Sequence, residues 1–183
     1  MNSFNILSID PGTTHTGYGL IKADIETLNI HSAKAWSVDA SKMIDPQGHD
    51  SQLYGERFSR VKMHALKFTS YLNKYKPIVV VSESPFYNPR RPQAFAALLE
   101  IVLSIRSSLY EWDPCMQLET IDPSSAKKNI GVKGSSGDKE LILSAMRDNV
   151  ELKQYVQSDL DEHAADALNI GYCQLCRIRQ GQI

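Results

Sequence analysis

The sequence has few cysteines and no long apolar run, and each absence excludes a class of protein. Its three cysteines are an odd number and too few for a disulfide scaffold. Cys173 and Cys176 form a single C-x-x-C, which we interpret as two reduced, partly buried thiols because a structural zinc site needs about four ligands. We expect Cys115 to lie in the core. No stretch approaches the roughly 18 apolar residues that span a bilayer.

Basic residues are not in excess either. Twenty Lys and Arg stand against 21 Asp and Glu, so the formal net charge is −1. This argues weakly against nucleic-acid binding, because proteins that bind phosphates usually carry a basic excess. The net charge does not exclude DNA binding, since a carboxylate cluster that holds metal ions lowers the total charge without weakening affinity for DNA. The N-terminal residues lack the basic and apolar regions of a signal peptide, so we expect a cytoplasmic protein.

The order of apolar patterns predicts the fold class. We expect strands at 4–10, 18–21, 30–38, 78–81 and 116–121, and helices at 51–75, 93–110, 138–149 and 159–178. The polar stretch 123–137 is interpreted as a surface loop with one helical turn at most. This order predicts an α/β fold with a five-stranded mixed sheet flanked by helices. The 183 residues show no repeat or linker, so we expect a single domain, 1–183.

Two of the predicted strands end in a carboxylate. Asp10 follows an apolar strand and precedes Pro-Gly, and Glu83 follows a β-branched run and precedes Ser-Pro. Either acid alone could be a turn residue or a helix cap. Ligands collect where the strands of an α/β sheet end, so two acids in this position favour a functional site.

The last predicted helix carries a third group of polar residues. His163 and Asp166 lie three positions apart and share a helix face. Asp166 interrupts a run of Ala, Leu and Ile, and a cation is the simplest compensation for burying its charge. We assign Asp159 and Glu162 mainly to a capping box. Asp161 is either a solvated acid of the first turn or a support for a metal ligand.

These segments resemble the RuvC-type Holliday junction resolvases of the RNase H-like superfamily. The resemblance covers nearly the whole chain and depends on the motifs S-I-D-P-G at 8–12, T-G-Y-G-L-I at 16–21, S-E-S-P-F at 82–86 and H-A-A-D-A-L at 163–168. A looser match is K-K-N-I-G at 127–131 followed by D-K at 138–139. The resemblance implies an RNase H-like nuclease domain that cuts four-way DNA junctions.

The resemblance also implies a set of functional residues. The metal-site and catalytic residues would be Asp10, Glu83, His163 and Asp166, with two Mg²⁺ ions that Mn²⁺ can replace. His163 would either bind a metal ion or carry a proton. DNA contacts would come from Phe86, Arg90, Arg91, Lys127, Lys128, Lys133 and Lys139. The competing interpretation of Phe86 is that it packs against a turn.

A four-way junction has near two-fold symmetry, so we expect a homodimer whose two sites nick two strands symmetrically. The helix at 93–110 is our candidate for part of the dimer interface. Two other functions stay open. The segment D-P-G-T-T at 10–14 also resembles the first phosphate loop of the actin-like ATPases. The second of these alternatives is a related RNA-processing nuclease or a non-catalytic DNA-binding relative.

Overall fold

The computed structural model describes residues 2–87, 89, 92–134, 139–156 and 159–182, with nothing said of the side chain of Lys139. Over these residues the elements are β1 (Ser3–Asp10), β2 (His15–Asp24), β3 (Ile30–Asp39), a 3₁₀ turn (Ala40–Lys42), α1 (His49–Tyr75), β4 (Val79–Glu83), α2 (Pro92–Trp112), β5 (Leu118–Ile121), α3 (Pro123–Asn129), α4 (Lys139–Asp148) and α5 (Glu162–Arg179). Within that part of the chain, none of the helices is both long and apolar enough to cross a membrane.

The strands form one mixed sheet in the order β3-β2-β1-β4-β5. The first three strands are an antiparallel meander, and β4 and β5 run parallel to β1. The predicted five-stranded mixed sheet is therefore confirmed. Val80 and Val81 in β4 are fully buried, as expected of a β-branched strand that is covered on both faces.

Helices cover both faces of the sheet, and alternation along the strands divides the core in two. In β1, Ile6 packs toward α3, α4 and α5, whereas Leu7 packs toward α1 and α2. Asp10 and Glu83 lie at one edge of this sheet, where β1 and β4 both end.

Helix α5 lies unusually close to the sheet because glycines remove the side chains between them. A Cβ atom added to Gly17 in β2 would come within 1.9 Å of the carbonyl oxygen of His163. The hydroxyl of Ser8 in β1 donates to the carbonyl of Ala167 at 2.6 Å. This backbone contact fixes the first turns of α5 against the ends of β1 and β2.

Three local predictions were wrong. The stretch after β5 begins with a helix of seven residues, longer than the one turn expected, because Asp122 caps α3 by accepting hydrogen bonds from the backbone N–H groups of Ser124 and Ser125 at 3.2 and 3.1 Å. Helix α5 does not begin with a capping box at Asp159. Its N-cap is Asp161, which accepts from the backbone N–H of Ala164 at 2.9 Å. Cys115 is exposed rather than buried, since it precedes β5 in a turn.

The other two cysteines agree with their interpretation as reduced thiols: both are free, with Cys173 buried and Cys176 partly so. Helix α1 is longer than expected and is kinked at Gly55, where φ is 84°. A positive φ is a conformation that glycine adopts without a steric cost. The predicted cap of α4, Asp138, lies outside the described residues.

Candidate active site

Asp10 and Glu83 lie side by side at the same edge of the sheet. They are the last residues of β1 and β4, which run parallel with Ile9 opposite Ser82. Each carboxylate therefore stands one residue beyond that pair, at the carboxyl end of its strand. This is the position that the alternation of apolar strands and turns predicted for the two acids.

The first turns of α5 bring His163 and Asp166 to the same place. Nδ1 of His163 is 2.9 Å from Oδ2 of Asp10. Asp161 fixes the start of the helix by capping it, and its other carboxylate oxygen accepts a hydrogen bond from the hydroxyl of Ser37 in β3 at 2.7 Å. The helix that holds His163 and Asp166 is thus tied to the sheet by a side chain as well as by backbone packing.

Asp10 is buried and Glu83 and Asp166 are partly buried, and this raises the pKa of each carboxyl group. Burial, followed by the charges of Asp10 and Asp166, raises the pKa of Glu83 to about 8. Burial and the charge of Asp10 raise the pKa of Asp166 to about 6. Burial also raises the pKa of Asp10, and the hydrogen bond with His163 offsets this only in part. Anionic carboxylates at this site therefore lack sufficient compensating charge from the protein.

The pKa of His163 is also raised, which in a histidine favours the charged form. Its hydrogen bond to Asp10 raises the pKa of the imidazole, although burial opposes the effect. The imidazole side chain is 35% exposed, and its Nε2 lies 3.7 Å from Oε1 of Glu162. The arrangement allows a proton to be held between His163 and Asp10.

The donor set suits a hard divalent cation. Carboxylate oxygens with one imidazole are ligands that Mg²⁺ and Mn²⁺ accept. Glu83 and Asp166, with pKa values raised by burial, would be stabilised as anions by a bound cation. In the described part of the chain, no three His, Cys, Asp or Glu side chains are already close enough together to enclose a metal ion.

Among the predicted lysines whose side chains are described, Lys127 is the one that affects the pKa of the acids. It lies in the last turn of α3 and lowers the pKa of both Glu83 and Asp166. Lys128 and Lys133 instead line a neighbouring open cavity of about 520 Å³ with Ser124 and Val132. Lys139 is the first residue of α4, and Arg90 and Arg91 lie outside the described residues.

The two aromatic residues that follow β4 differ in their surroundings. The side chain of Phe86 is 67% exposed. Tyr87 packs edge-to-face on Phe95 of α2, with ring centroids 5.4 Å apart. Both side chains are exposed, Tyr87 to 54%, but Tyr87 also packs on Phe95, and Phe86 lies three positions after Glu83 in the chain.

Sequence reasoning missed the residues that support the turn after Asp10. The Thr16 hydroxyl donates to the carbonyl of Gly12 at 2.8 Å and lies 3.5 Å from Nε2 of His64, a buried residue of α1. The ring of His15 stacks on that of His163. The one available signal was the position of His15 and Thr16 directly before the G-Y-G segment, and it does not show what they contact.

Comparison with solved structures identifies the fold. Thermus thermophilus RuvC in complex with Holliday junction substrate aligns over 97% of this chain and 96% of its own, with a TM-score of 0.71 and 21% identity. The yeast mitochondrial Holliday junction resolvase Ydc2 aligns over 97% and 80%, with a TM-score of 0.61 and 15% identity. The fowlpox virus resolvase in complex with substrate Holliday junction DNA aligns over 95% of this chain and 98% of its own, with a TM-score of 0.54 and 15% identity.

No family model and no curated protein sequence matches the chain, so the likeness lies in the structure rather than in the overall sequence. The matched structures extend over nearly the whole chain. The chain therefore has the RNase H-like fold of the RuvC-type Holliday junction resolvases.

Proposed function

We propose that this protein is a metal-dependent endodeoxyribonuclease that resolves four-way DNA junctions, and that residues 1–183 form a single nuclease domain. The observation that carries the proposal is the convergence of Asp10, Glu83 and Asp166 with His163 at one edge of the sheet. Two solved proteins with this fold are described in complex with Holliday junction DNA. We extend that substrate class to this chain.

Asp10, Glu83, His163 and Asp166 would hold two Mg²⁺ ions, with Mn²⁺ as a substitute. Bound there, divalent cations would supply Lewis-acid stabilisation of the phosphodiester and an acidified water. The chain contributes the charge that holds them, because three acids with raised pKa values lose their protons most readily beside a cation. No covalent nucleophile is required for this hydrolysis.

The protein's own groups have separate tasks in this scheme. His163 either joins the ligands or holds a proton at Nδ1 against Asp10. Lys127 adds positive charge near Glu83 and Asp166, where a phosphate would lie. The α5 cap at Asp161 and the contact of Gly17 with the helix keep the four groups at fixed separations.

Binding of the junction would use residues around this edge. Phe86, exposed three positions after Glu83 in the chain, is placed to stack on an unpaired base, an interaction worth about 1–3 kcal/mol. We propose that phosphate contacts come from six basic residues: Arg90, Arg91, Lys127, Lys128, Lys133 and Lys139. Their contribution should weaken as the salt concentration rises.

A symmetric cut requires two sites, and we propose that a homodimer supplies them. Helices α1 and α2 border a cavity of about 500 Å³ that is lined by apolar side chains and by the ion pair of Arg57 with Glu100: Tyr54, Phe58, Val61 and Leu103 are the apolar ones. An apolar surface of this kind favours association. We therefore propose that the dimer interface includes α1 as well as α2. We also propose a cytoplasmic location.

A substrate panel tests the function. Purified protein with Mg²⁺ or Mn²⁺ should nick a synthetic four-way junction, leaving 5′-phosphates, in preference to a three-way junction, a flap or a linear duplex. The same panel in RNA, and an assay of ATP hydrolysis, test the RNA-processing and actin-like alternatives. Cutting of RNA alone, or ATP turnover without cutting, would contradict the proposal.

Asp10→Asn removes the charge at the centre of the site while keeping the size of the side chain. We expect it to abolish cutting and to leave junction binding intact, since Asp10 is placed to act on the reaction rather than on affinity. Asp148→Asn, on the exposed end of α4, is the matched control and should cut like the wild type. Normal cutting by Asp10→Asn would show that the site is wrongly assigned.

A further inference from the structure

His15 and His163 have parallel rings. The planes differ by 3°, and the ring centroids are 5.7 Å apart. This separation lies within the range in which offset aromatic rings attract each other. Nδ1 of His163 is held by Asp10 at 2.9 Å, and its Nε2 lies 3.7 Å from Oε1 of Glu162, whose side chain is 40% exposed. These contacts act on the edges of the ring and leave its face to be supported by another group. The parallel ring of His15 provides that support.

His15 is itself held by the neighbouring strand β3. It is the first residue of β2 and stands opposite Asp39, the last residue of β3. Its Nε2 is 3.5 Å from Oδ2 of Asp39. Asp39 in turn accepts a hydrogen bond from the backbone N–H of Ser41 at 3.0 Å and lies 3.4 Å from Nζ of Lys42. The imidazole of His15 is therefore anchored through Nε2.

The backbones beneath the two rings are also joined. The N–H of Ala40 donates to the carbonyl of Thr14 at 2.8 Å, which closes the end of the β2–β3 pair next to His15. Two residues later, Gly17 lies directly against the carbonyl of His163. The stack thus joins two side chains on elements in rigid contact, rather than two mobile surface residues.

We propose that His15 is a positioning residue for DNA cleavage, with its ring holding the His163 imidazole in the plane that faces Asp10. The proposal rests on the proposed function for its effect on cutting. It adds a residue outside the four-residue site, and Asp39 as the group that orients it. Loss of the stack should lower the rate of the chemical step, because a misplacement of about 1 Å can cost on the order of 100-fold.

A half-exposed imidazole beside the site could instead bind a DNA phosphate. The side chain of His15 is 46% exposed, so DNA can reach it. The two roles separate kinetically. A phosphate contact contributes to binding and needs a polar ring, whereas a stacking surface affects kcat and needs only a flat ring.

The test compares His15→Ala with His15→Phe in single-turnover and steady-state cutting of the four-way junction. We expect His15→Ala to lower kcat by about 10- to 100-fold with KM unchanged, and His15→Phe to recover most of the loss. The matched control is His31→Ala. It removes the other histidine of the same hairpin, which lies 3.4 Å from Asp24 at the opposite end, and should cut like the wild type.

Three results would overturn the proposal: unchanged cutting by His15→Ala, a rise in KM shared by both variants with kcat intact, or a loss of kcat that His15→Phe does not recover. The proton chemical shifts of the His163 ring, recorded without metal or DNA, give a readout that does not depend on activity. They should move in His15→Ala and less in His15→Phe. If the wild type fails to cut, the proposed function fails, and unmoved shifts would separately refute the stack.

Discussion

His163 and Asp10 are in contact through Nδ1 and Oδ2 at 2.9 Å, although they are 153 positions apart in the chain. The contact joins the last helix to the first strand at the edge where β4 also ends. It holds the imidazole by Nδ1, while Nε2 lies 3.7 Å from Oε1 of Glu162. The identity of residue 163 therefore sets both the charge of the site and the proton available to Asp10.

Replacing His163 with a carboxylate should change metal preference more than activity. His163→Asp adds one negative charge, and an oxygen-only ligand set favours Mg²⁺ over the softer Mn²⁺. We expect the variant to keep cutting and the ratio of the cutting rate in Mn²⁺ to that in Mg²⁺ to fall several-fold. The measurement is a pair of metal titrations at fixed junction concentration. An unchanged ratio would place His163 outside the ligand set.

Glu83→Gln should stabilise the protein when metal is absent. Because burial raises the pKa of Glu83 from 4.5 to about 8, the folded state keeps a proton that the unfolded chain releases. In EDTA, the free energy of unfolding should therefore fall as the pH rises from 4.5 to 8, by at most about 1.4 kcal/mol per pH unit. The neutral amide removes this dependence.

The same variant should lose its response to Mg²⁺. A metal at 100 times its Kd stabilises the wild type by about 2.7 kcal/mol, and Glu83→Gln should show much less. Thermal melts in EDTA and in Mg²⁺ measure both effects. Glu140→Gln, in the exposed first turn of α4, is the control. Parallel pH profiles for the wild type and Glu83→Gln would rule out a buried, uncompensated Glu83.

Phe86→Ala and Tyr87→Ala should fail in different ways. Phe86 is exposed and makes the DNA contact in our proposal, so its loss should weaken junction binding by about 1–3 kcal/mol, or roughly 5- to 150-fold, with an unchanged Tm. Tyr87 packs on Phe95, so its loss should lower the Tm and affect binding less. Binding titrations and melts of both proteins give the comparison. Equal affinities for Phe86→Ala and the wild type would remove Phe86 from the interface.

His64 should make the protein less stable in acid. Burial lowers the pKa of its imidazole to about 4, whereas the unfolded chain takes up a proton near 6.5. The unfolded state therefore binds more protons between these values, and stability is lost as the pH falls from 6.5 to about 4, by at most about 1.4 kcal/mol per unit. Denaturant unfolding of His64→Gln should show a weaker dependence. His49→Gln, at an exposed position, should follow the wild type.

The strand-end acids could be predicted from the sequence because their signal is local. Asp10 and Glu83 each follow an apolar run that is long enough to be a strand and precede turn residues. Asp166 is recognisable as an acid within a buried helix. These patterns fix the sheet edge and three of the predicted metal ligands without any knowledge of pairing.

The parts that were missed depend on how elements meet. The contact of His15 with Asp39 follows from the register of β2 and β3, and the contact of His64 with Thr16 follows from how α1 lies under a turn. Neither is encoded in the spacing of one segment. Helix α3 could have been predicted, since Asp122 followed by Pro123 is a start signal for a helix. The polar residues after it favoured a loop.

The contact of α5 with β1 and β2 has a consequence for the order of events during synthesis. A nascent chain that ends before residue 162 contains the complete sheet but neither His163 nor Asp166. It also leaves the face around Ile6 and Ile21 uncovered, since α5 contributes much of that core. Under the proposed function, junction cutting should therefore begin only when α5 has emerged and docked, so that translation delays the appearance of the cutting activity.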